Sequence, residues 1–200
     1  MRWLALYLRC RGVPAASIAV VAAMAAGWSL WLTFSDARQV DAQLVVLTVV
    51  LLVAAAGSTL AGPDDALERT ASAPWPPRRA AHLLVTFGGL VSLPALTLVT
   101  DARFEPFDLV VRDTAGMLGL TALGAATLGA HRAWFLPLAG TVLAMFSPSS
   151  DTPLGRLVAW PLQPGDATAA ALTAAVLALA GAVAYVCRGS AHRVTDATLT

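Results

Sequence analysis

The chain has 200 residues, of which 58% are hydrophobic and 12% are charged, and its formal net charge is +1. Soluble domains carry about twice that share of charge, so this composition, with a mean hydropathy of +0.71, indicates a protein whose main solvent is the lipid bilayer. All thirteen basic side chains are arginines. The absence of lysine excludes a P-loop and Schiff-base chemistry, and the scattered arginines build no basic stripe for nucleic acid.

The first eleven residues mix Arg2, Arg9 and Arg11 with Trp3 and several leucines. This pattern is typical of a short interfacial helix at the inner membrane surface, with its arginines among the lipid headgroups. A plain cytoplasmic start of the first span is the alternative. The apolar run that follows is longer than the hydrophobic region of a cleaved signal peptide, so we expect it to remain as a membrane span.

Six charge-free stretches are long enough to cross about 30 Å of hydrocarbon. They are residues 12–35, 42–62, 83–100, 114–130, 133–150 and 167–187. The polar pair His131-Arg132 separates the fourth stretch from the fifth, because a charge at mid-bilayer is costly. Small residues spaced like Ala115 and Gly119 permit close helix packing. The sequence therefore predicts an all-α integral membrane protein with six transmembrane helices.

The longest polar segment between the early spans covers residues 63–80 and is predicted to be a cytoplasmic loop. Prolines at positions 74, 76 and 77 cannot continue a helix and favour extended geometry before them. We therefore predict that Trp75 is held in a stiff turn. Acidic residues precede this turn, and Arg78 and Arg79 follow it. A rigid knob that carries both signs of charge is suited to contact a soluble partner.

Between the fifth and sixth predicted spans, residues 147–166 begin with a turn rich in serine and proline. They continue as an apolar stretch that contains Arg156, Trp160 and Pro161. Because this stretch is too short to cross the bilayer, we predict a short re-entrant or interfacial segment on the outer face. An irregular loop with one aromatic anchor is the alternative.

The arginine bias of the short loops predicts the orientation of the chain. With the N-terminus inside, the cytoplasmic segments hold Arg2, Arg9, Arg11, Arg69, Arg78, Arg79, Arg132, Arg188 and Arg193, and the outer loops hold Arg38, Arg103, Arg112 and Arg156. Both termini are therefore predicted to be cytoplasmic. The lysine-free composition suggests a bacterium with a GC-rich genome and hence its cytoplasmic membrane, where Cys10 and Cys187 would be reduced thiols without metal-binding spacing.

The predicted spans contain no ionisable group that could couple transport to an ion. Arg112 and Asp113 fall at the outer edge of the fourth span, where an ion pair or a headgroup contact is favoured over a transport role. The histidines lie at cytoplasmic boundaries, without an HExxH motif or a facing pair of acids. We therefore expect no intramembrane enzyme, no cofactor and no metal site. Active transport would draw its energy from a partner.

The segment Glu68-Arg69-Thr70, then Pro74, then Arg78-Arg79 leads directly into a membrane helix. This order resembles the cytoplasmic loop of ABC-2 type permeases, in which Glu-Arg-Gly-Thr is followed by a proline and a basic residue, although this chain lacks the glycine. The six spans, the interfacial N-terminal helix and the cytoplasmic termini agree with the resemblance. Tryptophan- and proline-containing stretches at the start of the fifth span and before the last look like those of short actinobacterial permeases.

The resemblance implies that residues 63–80 form a coupling element that docks on a separate ATP-binding subunit. The residues implied in that contact are Glu68, Arg69, Thr70, Pro74, Trp75, Arg78 and Arg79. It also implies a second permease copy or homologue and a hydrophobic or amphipathic substrate, with no enzymatic activity in this chain itself. A non-transporting multi-span interaction or immunity protein is the alternative.

Overall fold

The computed structural model describes residues 2–61, 75–104, 106–147 and 152–191, except for the side chains of residues 2–5. Regular structure within these ranges is helical, which confirms the all-α prediction for them. The α-helices are α1 Arg2–Cys10, α2 Val13–Phe34, α3 Ala42–Gly57, α4 Trp75–Leu96, α5 Phe107–Leu128, α6 Phe135–Phe146, α7 Pro153–Val158 and α8 Thr168–Arg188. Short 3-10 turns follow α3, α4, α5 and α7 at Ser58–Leu60, Thr97–Val99, Ala130–Arg132 and Trp160–Leu162.

Within the described ranges, five helices are long and apolar enough to cross a membrane, namely α2, α3, α4, α5 and α8. Helix α6 has 12 residues, which gives it a length of about 18 Å against a hydrocarbon thickness of about 30 Å. The span predicted at residues 133–150 therefore stays a prediction, and its last three residues lie outside the described part of the chain.

Helix α4 begins at Trp75, eight residues before the predicted start at residue 83. The expected stiff turn at Trp75 is therefore replaced by the first turn of a membrane-competent helix. Pro76 and Pro77 fit there because a helix leaves its first amide groups without an intrahelical acceptor, so the missing N–H groups remove no bond. Arg78 and Arg79 consequently lie on the helix that enters the membrane.

Helix α5 begins at Phe107 and runs through Arg112 and Asp113, whereas the charge-free criterion placed its start at residue 114. A membrane-competent helix therefore contains ionisable side chains, which corrects the prediction that the spans lack them. The helix accommodates both charges because Arg112 Nε donates a hydrogen bond to Asp113 Oδ1 at 2.9 Å. Pairing offsets part of the desolvation cost that an isolated buried charge would have.

Helices α2, α3, α4 and α5 alternate in direction and α8 runs parallel to α5, so the helix ends collect at two ends of the bundle. We call the end that contains Arg11 and Tyr185 the proximal end, because Arg11 lies between α1 and α2 and bonds to Tyr185 near the end of α8. At the opposite, distal end, the loops after α2 and α4 meet, and the Val40 amide donates to the Arg103 carbonyl at 2.9 Å. The polar groups of these loops are thus paired with one another.

Helix α5 occupies the centre of the bundle. In its most apolar window 72% of the residues are buried, compared with 61% in α3 and 17–22% in α2, α4 and α8. The outer helices instead expose large apolar side chains such as Ile18, Leu84 and Leu172, each about 70% exposed (73%, 70% and 68%). Such side chains are stable in this position when lipid replaces water around them.

The closest helix contact joins α5 to α8 at Gly119 and Gly181. A Cβ added to Gly181 would overlap the backbone of Gly119, and one added to Gly119 would lie 2.5 Å from Ala178 Cα. Two helix backbones can approach this closely only where neither residue carries a side chain, which is the small-residue packing predicted for Gly119.

Replacement of Gly181 by alanine is expected to lower the free energy of unfolding by about 1–3 kcal/mol, because the added methyl group forces the α5 and α8 backbones apart. Gly88→Ala is the matched control, since a Cβ at Gly88 has no neighbour within 4 Å and alanine raises helix propensity. Unfolding of the detergent-solubilised protein by SDS titration measures both. Equal stability of the two variants would contradict the described helix contact.

Candidate functional site

Some of the residues expected to contact a partner lie within the described ranges, and others lie outside them. Glu68, Arg69, Thr70 and Pro74 lie outside the described residues. Trp75, Arg78 and Arg79 lie in the first turns of α4, and the Arg78 guanidinium stacks over the Trp75 ring at 5.4 Å from its centroid. The predicted coupling residues therefore adjoin the proximal end of the bundle.

At this end a buried arginine joins three elements. Arg11 is 4% exposed, and its Nη1 donates to the hydroxyl of Tyr185 at 3.0 Å and to the carbonyl of Thr59 at 3.4 Å. Its guanidinium also lies 5.0 Å from the centroid of the Tyr7 ring, which is within cation–π range. The junction of α1 and α2 is thereby tied to the end of α3 and to α8.

The hydroxyl of Tyr185 extends these connections toward the predicted coupling loop. It donates to the carbonyl of Leu60 at 2.9 Å while accepting from Arg11. Tyr185 is 1% exposed, so neither of these hydrogen bonds competes with water. Leu60 ends the 3-10 turn that directly precedes the segment 62–74, and the entry to that segment is therefore fixed to α8.

His82 of α4 joins the same group through Thr59. The Thr59 hydroxyl lies 3.0 Å from His82 Nε2 and donates its single proton to the Ala56 carbonyl at 2.7 Å. The His82 tautomer with its proton on Nε2 fits both contacts, because a hydroxyl that donates to Ala56 accepts from the ring. The contact joins α4 to the end of α3.

Arg79 ties the start of α4 to the end of α8. Its side chain is 9% exposed, and Nη1 donates to the Val186 carbonyl at 3.4 Å. A Cβ at Gly189 would lie 2.6 Å from Arg79 Nη2, and Gly189 also has a φ of 78°, which other residues rarely adopt. The glycine after α8 therefore leaves the space that the Arg79 guanidinium occupies.

We call Arg11, Thr59, Arg79, His82 and Tyr185 the proximal cluster. Sequence reasoning identified only Arg79 among them. The available signals were weak: Arg11 directly precedes an apolar run, and Tyr185 is a phenol in the last turns of an otherwise apolar helix. Their convergence depends on how four helix ends meet in space, which residue spacing does not encode.

The distal end contains a second polar site, which includes the other predicted segment. Arg112 is 8% exposed and reaches the carbonyl groups of Pro161, Gln163 and Pro164. Trp160 is buried and Arg156 is exposed. The interfacial segment predicted around Arg156, Trp160 and Pro161 thus consists of a short helix and a 3-10 turn, with its second half packed against the bundle.

Trp75 differs from the other predicted coupling residues because its indole Nε1 is buried and has no acceptor among the described residues. Indole N–H groups usually have an acceptor when they are buried. Within the described ranges, no three side chains of His, Cys, Asp or Glu converge as metal ligands would. The contacts described at the proximal end join helix ends through arginine side chains and hydroxyl groups.

The described part of the chain contains five membrane-competent helices, and the outer ones expose large apolar side chains. These features indicate a multi-pass membrane protein. Comparisons with protein-family models, with curated proteins and with solved structures found no match. We therefore infer its function from the arrangement of its own residues.

Tyr185→Phe is expected to lower the free energy of unfolding by about 1–3 kcal/mol, because it leaves the buried Leu60 carbonyl and the Arg11 guanidinium each without one partner. The matched control is Thr173→Val on the same helix. The Thr173 hydroxyl is exposed and bonds only to its own helix, at the Ala169 carbonyl, so its loss should change stability by less than about 0.5 kcal/mol. The same SDS titration compares the two variants, and a neutral Tyr185→Phe would remove the tyrosine from the cluster.

Proposed function

We propose that this chain is the membrane-spanning permease subunit of an ABC-2-like exporter, which couples ATP hydrolysis by a separate subunit to movement of a hydrophobic or amphipathic substrate. The observation that carries the proposal is the position of the proximal cluster. Its members lie on both flanks of the segment 62–74. Thr59 precedes the segment and contacts His82 after it. Tyr185 binds Leu60 before the segment, and Arg79 after it binds Val186. A displacement of that segment by a partner would act on both flanks together.

Both flanks connect to α8. Leu60 accepts a hydrogen bond from Tyr185, and Arg79 donates one to Val186. Helix α8 in turn packs without intervening side chains on α5 at Gly181 and Gly119. Contiguous packed and hydrogen-bonded elements of this kind are the physical route by which a local push moves distant helices.

The proposal includes a sixth crossing of the membrane by residues 133–150. The turn Ala130–Arg132 follows the proximal end of α5, whereas Pro161 and Pro164 contact Arg112 near its distal end. In the proposal the chain traverses the bundle again between these points, with α6 on its path. Ordered backbone around α6 would complete a crossing that this helix is too short to make alone.

In this proposal the complex contains two permease chains, identical or homologous, and two ATP-binding subunits in a bacterial cytoplasmic membrane. The substrate pathway lies between the permeases, and its walls are apolar like the exposed faces of α2, α4 and α8. A non-transporting interaction or immunity protein could have the same bundle, but it would have no need of an ATPase.

Co-purification separates these two functions. The full chain, purified from its native host in a mild detergent, is expected to bring down a protein with Walker A and ABC signature motifs. Purification after mild cross-linking guards against loss of a weakly bound subunit. Absence of an ATPase from both preparations would overturn the exporter function and leave the interaction protein.

Glu68→Ala combined with Arg69→Ala is expected to reduce ATP hydrolysis by the purified complex about fivefold or more, the scale of a coupling free energy of 1–3 kcal/mol. The control changes an exposed acidic residue and an exposed arginine at the distal end, Asp36→Ala with Arg38→Ala. Membrane insertion, measured as the amount of extracted full-length chain, should be equal for both double variants. An unchanged rate of hydrolysis would remove Glu68 and Arg69 from the coupling role.

The predicted cytoplasmic location of the proximal end can be tested with native cysteines. Cys10 and Cys187 are free and exposed, so a membrane-impermeant maleimide should label neither in intact cells and both after the membranes are opened. The control is a cysteine at Asp36, in a chain carrying Cys10→Ser and Cys187→Ser, which should be labelled in intact cells. Labelling of the native cysteines in intact cells would reverse the orientation.

A further inference from the structure

The segment Pro153–Pro164, which we call the distal strap, lies across the distal end of the bundle. Its first half, α7, exposes Leu154 and Leu157, whereas Trp160 is 4% exposed. The 3-10 turn Trp160–Leu162 contacts α3, α6 and α8. The Trp160 ring packs against α5 at Gly116, where a Cβ would lie 2.9 Å from Trp160 Cζ3. The strap therefore joins four helices at one point.

A single guanidinium holds the strap on α5. Arg112 Nη1 donates to the Pro164 carbonyl at 2.7 Å, and Nη2 donates to the carbonyls of Gln163 at 2.9 Å and Pro161 at 3.4 Å. These carbonyls are available because the chain leaves its 3-10 turn in extended geometry at Gln163, so no helix occupies them. The remaining Nε donates to Asp113 Oδ1, and the planar fork of arginine fits all four oxygen atoms.

Polar atoms next to the docking residue Arg112 are buried and unsatisfied. Asp113 is 0% exposed and Thr114 is 1% exposed, yet Asp113 Oδ2 and the Thr114 hydroxyl have no hydrogen-bond partner among the described residues. A buried polar atom without a partner costs free energy that water would restore. In the latch proposed below, release of the strap from the adjacent Arg112 admits water to these atoms and so lowers the cost of release.

We propose that the distal strap is a releasable latch that sets the spacing of the distal ends of α3, α5, α6 and α8, and that Arg112 is the positioning residue that docks it. While the strap is docked, these four ends are held together around Trp160. When it releases, they are free to separate. Its link to transport rests on the function proposed above, whereas its release is a property of this chain alone.

Release can be measured by hydrogen–deuterium exchange of the full chain in lipid nanodiscs. The amides of Ala159 and Leu162 bond to carbonyls within the strap, and a six-residue helix has no stability of its own. They are therefore protected only while the strap is docked. In the native chain they should exchange at least about tenfold faster than the central amides of α5, as expected for local opening.

Two changes should shift this exchange in opposite directions. Arg112→Lys keeps the charge but loses the fork, so exchange of the strap amides should rise about tenfold or more, the effect of losing one hydrogen bond to a charged group. Asp108→Cys with Gly165→Cys should slow it after oxidation, because a Cβ at Gly165 would lie 2.7 Å from Asp108 Cγ, within reach of a disulfide. This double-cysteine variant also carries Cys10→Ser and Cys187→Ser, so that the native thiols do not compete for the new disulfide. Arg38→Lys, at an exposed arginine of the same end, should leave exchange unchanged.

Native strap amides that exchange as slowly as the centre of α5, or exchange that oxidation does not slow, would overturn the releasable latch. ATP hydrolysis tests its link to transport. The oxidised double-cysteine complex should retain its ATPase partner and hydrolyse ATP more slowly, and reduction should restore the rate. Equal rates in the two states would overturn that link. Absence of any ATPase partner would instead refute the proposed function while the exchange result still decides the latch.

Discussion

The contact of Gly119 with Gly181 sets the distance between α5 and α8, the two helices to which the polar structures of both ends attach. Because the backbones of α5 and α8 meet there without side chains between them, the two helices form one central pair, and α3, α4 and α6 pack on that pair. The proximal cluster attaches through Tyr185 and Val186 of α8. The strap attaches through Arg112 of α5. The backbone contact between these two glycines thus links the polar structures of both ends.

Arginine is the residue that makes those end structures possible. Arg11, Arg79 and Arg112 are each less than 10% exposed, and each donates to backbone carbonyl groups that helix ends or extended segments leave available. In an apolar bundle the hydrophobic effect does not distinguish one helix neighbour from another, since lipid covers apolar faces equally well. Directional hydrogen bonds from buried guanidinium groups supply that specificity, and they position helix ends that packing alone would leave loosely defined.

The sequence predicted the helical class and the approximate place of five spans, because a stretch of apolar residues must cross the bilayer as a helix to satisfy its backbone. It misplaced the starts of α4 and α5 for a common reason. Counting charges treats Arg78, Arg79 and Arg112 as water-bound, but Arg79 and Arg112 are buried against carbonyl groups supplied by α8 and by the strap. Those carbonyl groups lie 107 and 51 residues away along the chain, so a local window does not detect them.

The two polar ends share α3 and α8, and this sharing constrains any movement of the bundle. The proximal cluster holds the end of α3 at Thr59 and the end of α8 at Tyr185, whereas the strap touches the same two helices at their distal ends. Helices fixed at both ends can tilt only if one attachment yields. Each end also contains buried polar atoms without an acceptor or donor among the described residues, such as Trp75 Nε1 beside the proximal cluster and Asp113 Oδ2 beside the strap. The two attachments differ instead in what they hold: the proximal hydrogen bonds join the ends of long helices, whereas Arg112 holds a strap whose own helix is only six residues long. A tilt driven from the proximal end is transmitted along α3 and α8 to that strap, which has no stability of its own once it leaves Arg112.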